Sequence, residues 1–297
     1  SFLAGFHIND VGSTEVRTIT AFNHDTGEIT LDAPPSWQPG TLLDLTTGEE
    51  APVLGARILT NTPPGCEFPP LKLRIATTRA TNALLEHKGG RVALFITRGF
   101  GDLLQIGDQR RSDLFALKHE PRVIFHEIAC EVPERISISG EVLDPLDETH
   151  VRASAHACIA QGITTAAISL LHGHAHPQHE LRVAAILRGY GFTHLTLSHQ
   201  TAAFAKLLPR TQSTVADAYL HAPVQSFLNG IRRVSPDMQV MTSAGGLKSA
   251  DDIRPKDMLL SGPAGGAIGA ANAARLLGIK NLITFDMGGT STDVARI

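Results

Sequence analysis

The apolar positions of the first sixty or so residues fall in short β-rich runs. Two of them, Glu15 to Phe22 and Glu28 to Leu31, are separated by Asn23-His24-Asp25-Thr26-Gly27, a polar stretch with the glycine that a hairpin needs. Pro34-Pro35 and Pro39-Gly40 punctuate the chain, and Thr41 to Leu45 predicts one more short strand. Residues 1–47 are therefore expected to form a small β module. Glu49-Glu50 then set acidic side chains where a first helical turn favours them, ahead of the apolar run Val53 to Leu59. Pro63-Pro64 and Pro69-Pro70 mark the end of this piece, so residues 48–70 read as a helix and a proline-rich linker.

From Leu71 the pattern changes to strands and helices in alternation. Arg79 to Lys88 predicts a helix that stops at Gly89-Gly90, and Arg91 to Thr97 a strand leading into Gly99. Asp147 is the expected N-cap of a helix reaching Gln161, which Gly162 ends before the strand Thr164 to Leu171. Gln178 to Arg188 predicts the next helix and Leu195 to Ser198 the next strand. Ser213 to Arg233 reads as a long helix that Pro223 kinks or breaks. Gln239 to Thr242, Gly262 to Leu277 and Leu282 to Phe285 complete the series as strand, helix and strand. Such alternation implies α/β layers around a largely buried sheet.

Composition narrows the function more than the fold. With 297 residues the chain can bury a substantial core, and 42% hydrophobic with 19% charged residues is ordinary for a soluble globular protein. A net charge of -3 lacks the basic excess of a nucleic-acid binder. Cys66, Cys130 and Cys158 form no C-x-x-C pair, which argues against a zinc ribbon or a disulfide framework and fits a reducing cytoplasm. No apolar run approaches the roughly 18 residues that span a bilayer, and the first residues carry no basic leader, so no membrane role is expected. The absence of an initiator Met suggests a piece of a longer protein.

The chemistry concentrates at the C-terminal end, in "LITFDMGGTSTDVARI". Asp286 stands at the exit of an apolar strand, where a carboxylate can hold magnesium directly or through its water shell. Gly288 and Gly289 lack Cβ atoms and can aim backbone N–H groups at a phosphate, while Thr290 and Thr292 add hydroxyls and Asp293 a second carboxylate. A Gly-Gly hairpin turn with solvated flanks would have the same sequence. About twenty residues upstream, Ser261-Gly262-Pro263-Ala264-Gly265-Gly266 opens an Ala-rich helix whose small residues allow close packing against another backbone.

Together "LSGPAGGAIGAANAARLLGIKNLITFDMGGTSTDV" resembles the helix, strand and second phosphate loop of the actin-like and sugar-kinase ATPase superfamily, in the version of the hydantoinase and 5-oxoprolinase family. "TTRATNALLEHKGGRVALFITRGFGDLLQIGDQRRSDLFAL", "PRTQSTVADAYL" and "VMTSAGGL" are similar to family blocks too, so the resemblance runs from about Gly48 to the end. It implies an actin-like ATPase (ribonuclease H-like) α/β fold with the β module as an insertion, 71–258 as the family's N-terminal region and 259–297 as the start of the ATPase lobe. It also implies ATP and Mg2+, with Asp286 and Asp293 organising metal and water, Gly288, Gly289, Thr290 and Thr292 binding phosphate, and Gly265 and Gly266 letting lobes meet. The implied reaction is the ATP-dependent opening of a small lactam, 5-oxoproline or a hydantoin, through a phosphorylated amide. A second hydantoinase subunit or fused domain and a homo-oligomer are the implied partners. Thr77, Thr78 and Asn82 would lie near the cleft as substrate contacts, although helix capping explains them equally, and Ala76 replaces the glycine usual before the threonines.

The family's first phosphate loop, D-x-G-G-T-x-T-D, has no counterpart here. Asp10-Val11-Gly12-Ser13-Thr14 imitates it without the second glycine and reads as a strand and turn of the β module. The chain is accordingly expected to be a truncated piece, inactive alone, with a non-catalytic nucleotide-binding module or an ATP-using subunit of an acetone-carboxylase-like complex as alternatives. Three other clusters carry weaker expectations. His172, His174, His176 and His179 read as solvated loop histidines rather than metal ligands. Arg110-Arg111 with Asp108 and Asp113 read as a solvated charged turn or a carboxylate clamp. Cys130 and Cys158 read as small hydrophobes.

Overall fold

The structure, a computed structural model, describes all residues except Ser1, Gln109, 111–114, Ala116, 118–121, Ala203 and 289–291. In chain order the first elements are β1 (His7–Asp10), β2 (Val16–Phe22), β3 (Ile29–Leu31), β4 (Leu43–Thr46), α1 (Ala51–Thr60) and β5 (Arg74–Ile75). There follow α2 (Arg79–Leu85), β6 (Val92–Thr97), α3 (Leu103–Ile106), β7 (Ile128–Val132), β8 (Arg135–Ile136), β9 (Val142–Asp144), α4 (Glu148–Ala160), β10 (Thr165–Ser169), α5 (Gln178–Gly189), β11 (His194–Leu197) and α6 (Ser198–Thr201). The rest is α7 (Leu207–Ile231), β12 (Gln239–Met241), β13 (Leu247–Ser249), α8 (Ser261–Leu276), β14 (Ile283–Met287) and β15 (Thr292–Arg296). These elements gather into two units. One holds Ser1–Ala76, Ser226–Met241 and Leu247–Asp252; the other holds Thr77–Gln225, Thr242–Gly246 and Ile253–Ile297.

In the first unit, β3-β2-β1-β4 form an antiparallel sheet over a small core of Phe6, Ile8 and Ile19 with Trp37 and Leu54 against it. The Asp10 stretch is the end of β1 followed by a turn, as its sequence implied. Glu49 and Glu50 do not sit in the first turn of α1: Glu50 is its N-cap, and Glu49 makes a bidentate pair with the buried Arg57 at 2.7 and 2.8 Å. Arg233 also contacts Glu49, and the Arg57 guanidinium lies 4.7 Å over the Phe68 ring. A cleft of about 870 Å³ opens beside these groups, lined by Cys66, Phe68, Lys72 and Ser235 among others. Cys66 is the exposed cysteine of the three.

The second unit is built on a parallel sheet, β11-β10-β6-β7. Every residue of β6 is buried, as expected of a strand covered on both faces. Its neighbours in the core include Ile168, Phe192, Val151, Val183 and Leu187, with Phe95 edge-on to Phe192. Asp147 caps α4, its side chain accepting from the His150 amide at 3.0 Å. Cys130 and Cys158 are buried, and their sulfurs lie 3.6 Å apart, so the two small hydrophobes of the sequence meet in the core without being bonded. Among the described residues no helix is long and apolar enough to cross a membrane.

The break expected at Pro223 and the helix stop expected at Gly89-Gly90 are both absent, for one shared reason. Pro223 does not end the helix, which is continuous from Leu207 to Ile231. A proline deprives the carbonyl four residues back of its donor, here that of Tyr219, and the amide of Gly90 donates to it instead at 2.8 Å. The Gly89-Gly90 pair is therefore not the stop of α2, which ends at Leu85 with His87 in the left-handed region (φ 55). The glycines serve the approach to α7: a Cβ on Gly89 would overlap the Tyr219 ring.

Candidate functional site

The C-terminal hairpin places the predicted phosphate loop between β14 and β15, which pair antiparallel from Ile283↔Arg296 to Met287↔Thr292. Asp286 is directly opposite Asp293. Residues opposite one another in a ladder share a face, so the two carboxylates stand side by side with Thr284 and Ala295. The other face carries Ile283, Phe285, Met287 and Val294, all more than 60% exposed, so this sheet is not the buried one that the alternation implied. Gly288 and Thr292 are exposed, whereas Gly289 and Thr290 lie outside the described residues. Two carboxylates beside a glycine turn are a donor set that suits magnesium, which is held by one or two carboxylates and completed by phosphate and water oxygens. Among the described residues no group of three or more His, Cys, Asp or Glu forms an all-protein metal cage.

Three sequence blocks converge around the start of α8. The Ser261 hydroxyl accepts from the Thr77 amide at 3.3 Å, and the Thr81 hydroxyl donates to the Leu259 carbonyl. Ser243, from the T-S-A-G-G turn, donates through its amide and its hydroxyl to the Asp257 carbonyl (2.6 and 2.8 Å) and accepts from the Leu260 amide at 3.0 Å. The expected close contact occurs at Gly262 rather than at Gly266. A Cβ on Gly262 would come to 2.5 Å from the Thr78 methyl and 3.3 Å from the Thr77 backbone, while one on Gly266 would meet nothing within 4 Å. Gly265 lies one residue before it, inside the same helix. Thr77 caps locally, accepting from the Arg79 amide at 3.1 Å, and Asn82 reaches Thr78 at 3.4 Å. Thr77 and Thr78 are thus brought against α8, and Asn82 is brought to Thr78.

A second polar cluster, unforeseen from the sequence, lies at the carboxyl ends of β6, β10 and β11, where open parallel sheets of this kind receive ligands. Glu180 is fully buried near the start of α5 and accepts from four donors: the Leu170 amide (3.0 Å), the Ser198 hydroxyl, the His199 amide (3.2 Å) and His199 Nδ1 (2.6 Å). Glu134, equally buried, receives the Thr97 hydroxyl and His179 Nδ1, the latter at 2.7 Å. Arg210 is wholly buried and donates to the Leu170 and Phe204 carbonyls and to His174 Nδ1. Burial, and then this cation, hold His174 and His172 below the ordinary histidine value. The histidines are therefore not all solvated loop groups: His174 and His179 have specific partners, and His176 Nε2 lies 3.1 Å from the Ile138 carbonyl. The His179-Glu180 pair at the helix start was the legible signal; its partners, far away in sequence, were not. Arg110 and Arg122 pair with Asp108 at 2.5 and 2.6 Å on an exposed turn, which holds Asp108 down at about 2. Arg111 and Asp113 lie outside the described residues.

Residues 63–191 match the hydantoinase/oxoprolinase N-terminal region, and residues 210–297 match hydantoinase/oxoprolinase. The 5-oxoprolinase of Saccharomyces cerevisiae is 38% identical over 260 residues, 75% of this chain and 20% of that one. The chain thus spans about a fifth of the length of this curated relative. Among solved structures, nucleotide-free acetone carboxylase superimposes with a TM-score of 0.65 at 28% identity, covering 75% of this chain and 34% of the other. The caprolactamase of Pseudomonas jessenii shares the fold with a TM-score of 0.65 at 23% identity, over 97% of this chain and 43% of the other.

Proposed function

Because the chain belongs to the hydantoinase/oxoprolinase family, we propose that it is the phosphate-handling part of an enzyme that uses ATP to open a small lactam, 5-oxoproline or a hydantoin. The observation that carries this reading is the hairpin with Asp286 and Asp293 side by side next to a glycine turn. An amide carbon is a poor electrophile. Transfer of the γ-phosphoryl group to the amide oxygen makes it one that water can attack, and it couples the ring opening to ATP hydrolysis. Preorganised donors aimed at the transferring phosphoryl group supply most of the catalysis in such reactions. Gly288, Gly289, Thr290 and Thr292 are the candidates for that part; Asp286 and Asp293 would hold magnesium, which supplies neutralising charge at the phosphates. Gly265 and Gly266 belong to the helix that precedes the loop, and Thr77 and Thr78, with Asn82 of α2, to the place where the lactam would lie. A second hydantoinase subunit or fused domain would complete the enzyme, in the cytoplasm.

The test is ADP release by the full-length protein with magnesium and ATP, comparing 5-oxo-L-proline, hydantoin and no addition. Release that depends on one of the two lactams, and that Asp286→Ala abolishes without loss of the folded state, is the expected result. Unchanged turnover in the variant removes the aspartate from the reaction. The 28% identity to acetone carboxylase favours a second reading as an ATP-using carboxylase subunit, so acetone with bicarbonate is the fourth condition.

A further inference from the structure

The Glu180–His199 pair has the geometry of a base waiting for a proton. Glu180 commits its oxygens to four donors, one on Leu170 just beyond β10 and three on Ser198 and His199 just beyond β11, so it is held in place as an acceptor. His199 Nδ1 has to be the donor at 2.6 Å. In the neutral imidazole that tautomer leaves a lone pair on Nε2, and among the described residues Nε2 has no protein partner. The His199 side chain is about 15% exposed, while the carboxylate behind it is completely covered. A carboxylate fixing one ring nitrogen so that the other can take a proton is the arrangement by which histidine acts as a general base.

The pair is also tied to the α8 cluster. His199 lies in the short turn α6, whose Thr201 hydroxyl accepts from Arg254 at 3.2 Å. Two residues on, the Lys256 amide is held by the buried Asp217 at 3.1 Å, and the Asp257 carbonyl receives Ser243, which in turn holds Leu260 at the entrance to α8. His179 has a similar clamp on Glu134, but it is anchored through Thr97 to β6 and, among the described residues, has no such link.

We propose that His199 is the base that removes the proton from the atom beside the substrate carbonyl, the N–H of a cyclic amide, while the carbonyl oxygen takes the γ-phosphoryl group, and that Glu180 is its positioning residue. The inference rests on the phosphoryl-transfer reading above. In the step the N–H bond breaks and its proton goes to Nε2, and the electron pair left behind forms the C=N bond. The carbonyl π pair forms the new O–P bond, and the bond from the γ-phosphorus to its bridging oxygen breaks as ADP leaves with that pair. Without the base the phosphorylated amide would be born as a cation. The class of substrate is thereby set: a carbonyl compound with a removable proton on the neighbouring atom. An N-methylated lactam is excluded.

The experiment uses the full-length protein as wild type, His199→Asn and His199→Ala. Asparagine keeps an N–H where Nδ1 donates to Glu180 but has nothing in place of Nε2, so it separates the base from the fold. With 5-oxo-L-proline, both variants should lose roughly 10²-fold or more in kcat for ADP release with KM within about twofold, and imidazole should restore part of the rate to His199→Ala. The 1-methyl derivative of 5-oxoproline should give no release in any form. In parallel, wild type is treated with diethyl pyrocarbonate and its peptides are weighed. His199 should be carbethoxylated, and 5-oxo-L-proline with a non-hydrolysable ATP analogue should protect it. Protection without lactam-dependent ADP release would keep the base at the binding site and sink the ring-opening reading instead. Undiminished release in both variants, turnover of the N-methylated lactam, or an unprotected His199 overturns the proposal.

Discussion

Acid should loosen the second unit through a single stacked pair. His194 and His221 lie with ring centroids 3.3 Å apart and planes 8° from parallel, and the His194 Nε2 lies 3.0 Å from the Thr196 hydroxyl. Burial first, then His221, then Arg254, push His194 down from 6.5 to about 4. The folded state therefore holds fewer protons than the unfolded chain between those values. Stability is unaffected by this group above pH 6.5 and falls as the pH is lowered towards 4. A shift of that size corresponds to about 3 kcal/mol at full value, and to about 2 kcal/mol once the remaining water contact of the ring is allowed for. His194→Phe keeps an aromatic face for His221 and removes the titration. Hydrogen exchange of peptides from β10 and β11, followed at pH 7.5 and pH 4.5 with intrinsic rates corrected, should show the wild type losing about 2 kcal/mol more than the variant across that interval. Parallel losses in the two proteins would refute the assignment, because groups common to both, the carboxylates and His221, which burial also holds low, would then account for the whole acid response.

Gly262→Ala should cost about 1–3 kcal/mol by driving a methyl against Thr78, and Thr78→Ser, which deletes the clashing methyl, should recover most of it in thermal melts; a Gly262→Ala protein as stable as wild type would show that α8 and the threonine turn are not in contact. Asp147→Ala should lower stability by about 1 kcal/mol through loss of the cap on α4, measured by urea unfolding. Ile168→Ala, in the buried centre of the parallel sheet, should cost about 2–5 kcal/mol in the same assay.

The fold was legible wherever one segment's own pattern decided the outcome. β6 and β10 announce themselves as β-rich, largely apolar runs and α4 as a capped helix. What could not be read were contacts made by residues far apart in sequence. Pro223 looks like a breaker until the Gly90 amide is seen on the carbonyl it frees. Glu49 looks like a helix-start acid until Arg57 claims it. The candidate site divides the same way. Asp286 and Asp293 are found by motif and confirmed as neighbours by strand register. Glu180 shows only as half of a His-Glu pair at a helix start and Glu134 not at all, because the role of a buried carboxylate is set by the donors that gather around it.

The three cysteines give the molecule a built-in gauge of its own opening. In the folded chain Cys66 faces solvent at the edge of its cleft, while Cys130 and Cys158 are sealed in the parallel-sheet core. A maleimide dye added under native conditions should therefore mark a single place, and mass spectrometry should count one adduct per chain. As denaturant is added the count should step from one to three, and since the late pair shares one core it should react together. Thiol labelling thus reports on one unit through a bright single tag and on the other through its silence.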